Sequence, residues 1–185
     1  QDVTEKVKAN DRLHFLAEHD PLTGILNRRG IEKEFDEAVA MLGDGVSMSL
    51  AYLDLDRFKL INDLFGHLAG DEVLKQVCER VRNMLTEGQS MGRVGGDEFV
   101  IVFKGTPIDS AAWVCRGIVD RIGNLPYQIG DRAFQVKGSI GLMEISESIR
   151  VKDAISVADR ACREAKSGNH GNPVIYDRHS PVFRE

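Results

Sequence analysis

At 185 residues the chain has room for one domain and an appendage, and 42% hydrophobic with 29% charged residues is ordinary globular composition. A net charge of −5 and a pI near 5.6 argue against a nucleic-acid-coating surface, while leaving room for a local basic nucleotide site. No apolar run reaches the length of a membrane span or a signal segment, so no direct membrane contact is expected.

The three cysteines, Cys78, Cys115 and Cys162, fall on helical patterns rather than in a paired framework, as small core residues do in a reducing compartment. A cytoplasmic location is expected, for a free protein or for the cytoplasmic portion of a membrane-anchored one. Because the chain begins at Gln1 rather than Met, a piece of a larger protein is expected.

From Val3 to Ala17 sparse apolar residues share one face of a helix that has little to bury alone. It reads either as a frayed tail or as the end of a linker helix that joins an upstream sensor and pairs with its copy. His19-Asp20-Pro21-Leu22-Thr23-Gly24 breaks that helix at proline, and Asn27-Arg28-Arg29 opens an amphipathic one (Ile31, Phe35, Ala38, Val39, Leu42) closed by Gly43 and Gly45. Val46 to Leu53 is apolar enough for a strand buried on both faces, and it ends in Asp54-Leu55-Asp56.

Arg57 to Phe65 reads as a short helix, and Gly66-His67 separates it from a longer one carrying Val73, Leu74, Val77, Cys78, Val81, Met84 and Leu85. Ser90 to Val94 and Phe99 to Phe103 read as a hairpin around Gly95-Gly96-Asp97-Glu98. A helix from Asp109 to Leu125 follows, with Ala112, Trp113, Arg116 and Val119 in step and Pro126 as its stop. Phe134 to Lys137 runs into a central strand at Gly138 to Met143; a last helix (Val151, Ile155, Ala158, Ala161, Cys162, Ala165), the loop Gly168 to Pro173 and the short strand Val174 to Tyr176 complete the chain. This order predicts an α+β sandwich of the ferredoxin-like βαββαβ type, an antiparallel-rich central sheet surrounded by helices.

Two acidic groups stand out. Gly95 and Gly96 account for a turn, through the positive φ that glycine allows, but not for Asp97 and Glu98 at the edge of the apolar run that follows. Either they are a solvated turn, or a cation offsets their repulsion. A buried strand that delivers Asp54 at its end favours the second reading if the hairpin lies beside it, for then Asp54, Asp97 and Glu98 converge. Hard oxygen donors of this kind suit Mg²⁺. The loop Asp54 to Lys59 fails as a calcium EF-hand, since Phe58 and Lys59 stand where a ligand and glycine belong. It remains readable as a helix N-cap at Asp56 and as a phosphate site built from first-turn N–H groups and the Lys59 ammonium.

The ordered set Asp20-Pro21-Leu22-Thr23, Asp54-Leu55-Asp56-Arg57-Phe58-Lys59, Asn62-Asp63, Gly66-His67, Gly70-Asp71, Gly95-Gly96-Asp97-Glu98-Phe99, Ser139-Ile140-Gly141, Ala158-Asp159 and Ala165-Lys166 resembles the GGDEF domain family, the diguanylate cyclases. The resemblance runs over residues 19–177 and implies a fold similar to nucleotide cyclase and palm domains. It divides the chain into a linker helix (1–18), the catalytic domain (19–177) and a tail or linker to a further domain (178–185).

By this resemblance a homodimer, each subunit holding one GTP, would make cyclic di-GMP and pyrophosphate. Asp54, the Leu55 carbonyl, Asp97 and Glu98 would hold Mg²⁺ or Mn²⁺. Asp97 or Glu98 would help deprotonate the ribose 3′-hydroxyl, and Lys59, counted with them as catalytic, would grip the phosphates with Lys166 and the N–H groups of Arg57 and Phe58. Asn62 and Asp71 would read the guanine edge, and Gly95 and Gly96 belong to the substrate-binding set. An upstream sensor and a downstream EAL-type domain are the implied neighbours, with no nucleic acid.

The alternative is a non-catalytic GTP-binding module that controls a neighbouring phosphodiesterase-type domain. Many members carry Lys-x-x-Gly-Arg-Asn after the last helix, but here Lys166-Ser167-Gly168-Asn169-His170 lacks the arginine, His170 takes its slot, and Arg163 is the nearby substitute cation. Many also carry Arg-x-x-Asp before the glycine pair to bind product; Thr86 and Gln89 stand there instead.

Overall fold

The sheet is built around β1 (Met48–Leu55), whose residues are all buried except Asp54. In the computed structural model, which describes residues 3–168 and 171–179, β1 lies between two antiparallel neighbours, β3 (Glu98–Phe103) and β6 (Gly138–Ile145). β2 (Gln89–Arg93) pairs antiparallel with β3, β7 (Val174–Ile175) pairs parallel with β6, and the order is β2-β3-β1-β6-β7. Helices α3 (Phe58–Phe65) and α4 (His67–Arg82) link β1 to β2, and α5 (Ile108–Gly123) lies between β3 and β6. This is the expected ferredoxin-like βαββαβ arrangement, with α6 (Val151–Gly168) leading to the added parallel strand.

Side chains two apart on a strand share a face, and the sheet uses both. Leu53, Phe99, Ile101 and Ile140 pack against Val73 and Val77 of α4 and Cys115 and Ile118 of α5. On the other face Leu50, Tyr52, Val100 and Val102 pack against Ile31 and Phe35 of α2 (Arg28–Ala40) and Ala158 and Cys162 of α6. A Cβ on Gly141 would stand 2.1 Å from the Cys162 nitrogen and 2.2 Å from the Ala158 oxygen. Only glycine lets α6 lie this close to β6, which sets the polar side chains of α6 against the end of β1.

α1 (Val3–Glu18) buries nothing, with Val3, Val7, Leu13 and Leu16 exposed. Asn27 holds its end: the carboxamide donates to the Ala17 and His19 carbonyls, its backbone N–H to Glu18, and its Oδ1 accepts from Gly30 N–H as the N-cap of α2. No helix among the described residues is long and apolar enough to cross a membrane.

Several elements depart from the pattern-based expectation. β1 runs over 48–55 rather than 46–53, so Asp54 is inside the strand and not beyond it. α2 ends at the C-cap Met41, before Gly43 and Gly45, which turn the loop that follows with φ of 124° and 81°. On α5 the buried face is Ala111, Cys115, Ile118 and Ile122, whereas Trp113 is 78% exposed. A small hairpin of β4 (Tyr127–Ile129) and β5 (Arg132–Phe134) takes Phe134 away from the central strand. Short strands of three residues carry too little periodicity to be read.

Candidate active site

The end of β1 meets the start of β3 in register: Asp54 is the direct antiparallel partner of Glu98, and Ser139 of β6 faces Asp54 from the other side. Period two brings Tyr52 onto the face of Asp54, and its hydroxyl donates to Glu98 Oε2. The hairpin turn does not use glycine as expected, since neither Gly95 nor Gly96 has a positive φ. Gly95 is needed for space instead: a Cβ there would lie 3.0 Å from the Glu98 carboxyl carbon, whereas one on Gly96 would meet nothing. The turn is held by Arg93, whose Nε donates to the Gly95 and Gly96 carbonyls and whose Nη1 pairs with Asp20 at 3.2 Å. Asp20 also accepts from the Thr23 N–H and hydroxyl.

Lys166 of α6 lies 2.6 Å from Asp54 and 3.9 Å from Asp56. Burial works against its ammonium, but the hydrogen bond and charge of Asp54, with that of Asp56, leave its pKa raised. The Asp97 pKa is pushed up by burial first, then by the negative charges of Asp54 and Glu98, against the pull of Lys166. Asp159 of α6 behaves alike: burial raises it, Glu98 and Asp54 add to that, and Arg163 and Lys166 oppose. Burial and Glu98 likewise push the Tyr52 phenol above its ordinary value, keeping it a donor.

Among the described residues no three His, Cys, Asp or Glu side chains stand as a ready ion site; Lys166 is paired with Asp54, and Tyr52 donates to Glu98. The donors nonetheless fit a hard divalent cation: all are oxygens, and neighbouring carboxylates add to the burial that raises Asp97 and Asp159.

Asp56 does not cap α3. Its carboxylate accepts from Ser139 Oγ at 2.9 and 3.1 Å, and Arg57, in the left-handed region at φ 58°, takes the N-cap position with no side-chain bond to the first turn. Among the described residues no side chain is bonded to those N–H groups, the arrangement in which helix N-termini bind anions. Beside that turn Lys59, Asn62, Asp71, Gly96 and Asp97 line a cleft of about 390 Å³. The Asn62 carboxamide rests on Gly70, where a Cβ would be 1.8 Å from its Oδ1. Arg57 and Lys166 line a second cleft, of about 740 Å³, on the other side of the same turn.

A family model described as "Diguanylate cyclase, GGDEF domain" matches residues 17–172. The chain belongs to the GGDEF domain family. It is 31% identical over 179 residues to the probable diguanylate cyclase DgcE of Escherichia coli and 34% identical over 176 residues to the cyclic di-GMP phosphodiesterase PdeR of the same organism. These matches cover 96% and 95% of this chain but only 16% and 26% of those proteins. The coiled coil and GGDEF domain of DgcB from Caulobacter crescentus, solved in complex with c-di-GMP, has the same fold, with a TM-score of 0.85 at 24% identity over 94% of this chain and 93% of that one.

In this GGDEF domain Asp54, Asp97, Glu98 and Lys166 meet at one end of the sheet, and Lys59, Asn62 and Asp71 stand together across the turn. Arg163 lies toward Asp159 at 3.9 Å and is not joined to Lys166 as a second cation. Asn169 and His170 lie outside the described residues, as do residues 180–185 of the expected tail. Sequence reasoning gave no role to Tyr52, Ser139 or Asp159. Tyr52 was findable, since a tyrosine two residues before Asp54 on a strand shares its face.

Proposed function

We propose that this GGDEF domain is a diguanylate cyclase, condensing two GTP into cyclic di-GMP and releasing two pyrophosphates. The observation that carries it is one cleft lined by Lys59, Asn62, Asp71 and Asp97. It offers guanine-edge partners and phosphate chemistry within one nucleotide's reach. An amide accepts and donates, and a carboxylate accepts from the guanine N1–H and amino group.

In the reaction the 3′-oxygen of one GTP attacks the α-phosphorus of the other, an O–P bond to pyrophosphate breaks, and the exchange repeats in the opposite sense. Asp97 or Glu98 takes the 3′ proton. Lys59, Lys166 and the first-turn N–H groups at Arg57 and Phe58 absorb charge that spreads over the phosphate oxygens. Asp54, the Leu55 carbonyl, Asp97 and Glu98 would hold Mg²⁺ or Mn²⁺. Such an ion neutralises phosphate charge and lowers the pKa of the attacking hydroxyl.

Each subunit supplies a half-site, so a homodimer is required, with α1 joining it to an upstream sensor in a cytoplasmic signalling protein. The division into linker helix, catalytic domain and tail belongs to this reading, as does an EAL-type domain downstream. Incubating the purified chain with GTP and Mg²⁺ tests it: cyclic di-GMP should appear on chromatography, at a rate per molecule that rises with protein concentration. No product at any concentration would reject it. The second reading, a GTP-binding module that controls a phosphodiesterase, is favoured by the missing arginine after Lys166, and tight GTP binding without turnover would establish it.

A further inference from the structure

Tyr52 is 4% exposed, yet its hydroxyl is not spent on the core. It leaves the apolar face shared with Leu50 and Val100 and donates to Glu98 Oε2 at the rim of the site. The other side of that carboxylate rests on Gly95, where a Cβ would come within 3.0 Å of the carboxyl carbon and 3.2 Å of each oxygen. Glu98 is therefore gripped between a buried phenol and a bare stretch of backbone. A glutamate otherwise keeps much of its rotamer freedom at such a position.

Tyr52 itself is fixed from both neighbours. Its direct partner on β3 is Val100 and its partner on β6 is Gly141, which packs against the α6 backbone with no room for a Cβ. The ring is buried in one cluster with Ala158 and Cys162 of α6 and Val100 of β3. The phenol thus carries the rigidity of the sheet and of α6 to a side chain at the turn.

We propose that Tyr52 is a positioning residue that orients the Glu98 carboxylate as a metal ligand before nucleotide arrives. This rests on the cyclase reading only in taking Glu98 as a ligand. The hydroxyl holds Oε2, so Oε1 would be the oxygen left to face an ion, and Glu98 would need little reorientation to serve as its ligand. Partners of this kind, which touch a ligand and not the metal, typically change metal affinity about 10- to 100-fold when removed.

The test is a Mn²⁺ titration followed by electron paramagnetic resonance, on the whole chain with a non-hydrolysable GTP analogue. Tyr52→Phe keeps the ring and its packing, and it should weaken Mn²⁺ binding about tenfold while the melting temperature stays within about 2 °C of the parent. In a Glu98→Ala background the same change should have no further effect on Mn²⁺ affinity, since the hydroxyl would have nothing to orient. An unchanged titration for Tyr52→Phe, or an equal loss in the Glu98→Ala background, would overturn the proposal, because both would make the hydroxyl a packing feature. A parent that takes up Mn²⁺ with the analogue but forms no cyclic di-GMP would sink the cyclase reading and leave this inference standing. A parent that takes up no Mn²⁺ overturns both.

Discussion

Two charged clusters flank β3, and they are balanced in opposite ways. Just past its C-terminal end Lys104 pairs with Glu34 at 2.5 Å and Glu37 at 2.8 Å. The hydrogen bond to Glu34 leads in raising the Lys104 pKa, and the bond to Lys104 leads in lowering that of Glu37. Lys104 and Glu37 are each easier to charge there than they would be alone. At the N-terminal end Asp97 and Asp159 are harder to charge than free carboxyls, despite Lys166 beside them. The lesson is that clusters of similar composition can be told apart by whether their carboxyls resist ionisation. The first is a structural tie between α2 and the end of β3; the second keeps carboxyls that the fold makes costly to ionise, as functional sites often do.

The largest effect should come from deleting acids at each end. Glu98→Ala and Asp54→Ala should each cut cyclic di-GMP formation from GTP about a thousandfold or more, with circular dichroism unchanged, because phosphate charge is then left without its cation ligand. Glu34→Ala should leave turnover within about twofold. Comparable turnover in Glu98→Ala, or collapse of turnover in a folded Glu34→Ala, would erase the distinction between the clusters.

A smaller effect, on stability, should have opposite signs. Lys104→Ala leaves two carboxylates facing each other and should cost about 1 kcal/mol in urea unfolding. Asp97→Asn removes a group whose ionisation the fold opposes, and should gain a few tenths of a kcal/mol to about 1 kcal/mol. A raised carboxyl pKa costs stability in full above its folded value and nothing below its unfolded one. The advantage of Asp97→Asn should thus be largest near neutral pH and fade on acidification; a gain that grew toward low pH would show that the cost of ionising Asp97 is not its source.

Much of this was legible because the relevant signals are local. The apolar runs of β1 and β3, the acids at their ends and the glycines between long elements each report on backbone a few residues away, and so the ferredoxin-like order could be read. What escaped depends on tertiary approach. Asp56 looks like an N-cap in isolation, but Ser139, 83 residues on, takes its carboxylate. Gly95 looks like a turn residue, yet its use is to make room for Glu98. Trp113 fits a helical stripe by spacing, but it lies on the exposed side of α5, and spacing alone cannot say which stripe the sheet will meet.

The smallest expected effect is at a third place, beside the turn into β2, where the charge needed to bind product is missing. Cyclic di-GMP is a dianion, and holding it outside the active site calls for a cation or a fork of N–H donors. Thr86 offers neither, and Gln89 is spent on the turn, its Oε1 accepting from the Thr86 N–H at 3.0 Å. Nearby arginines do not make up the loss. Arg80 donates to the carbonyls of Arg121, Ile122, Leu125 and Pro126, and Arg93 is tied to Asp20 and the hairpin turn. Arg82 does face a cleft of about 380 Å³ with Gln89, but as a lone arginine without an acidic partner of the family's kind. Calorimetry with cyclic di-GMP, the active site being filled by a GTP analogue, should therefore show no tight binding. Micromolar or tighter binding that Arg82→Ala abolishes would mean that this cleft is a product site after all, and that a single arginine supplies what the usual arginine and aspartate pair does elsewhere in the family.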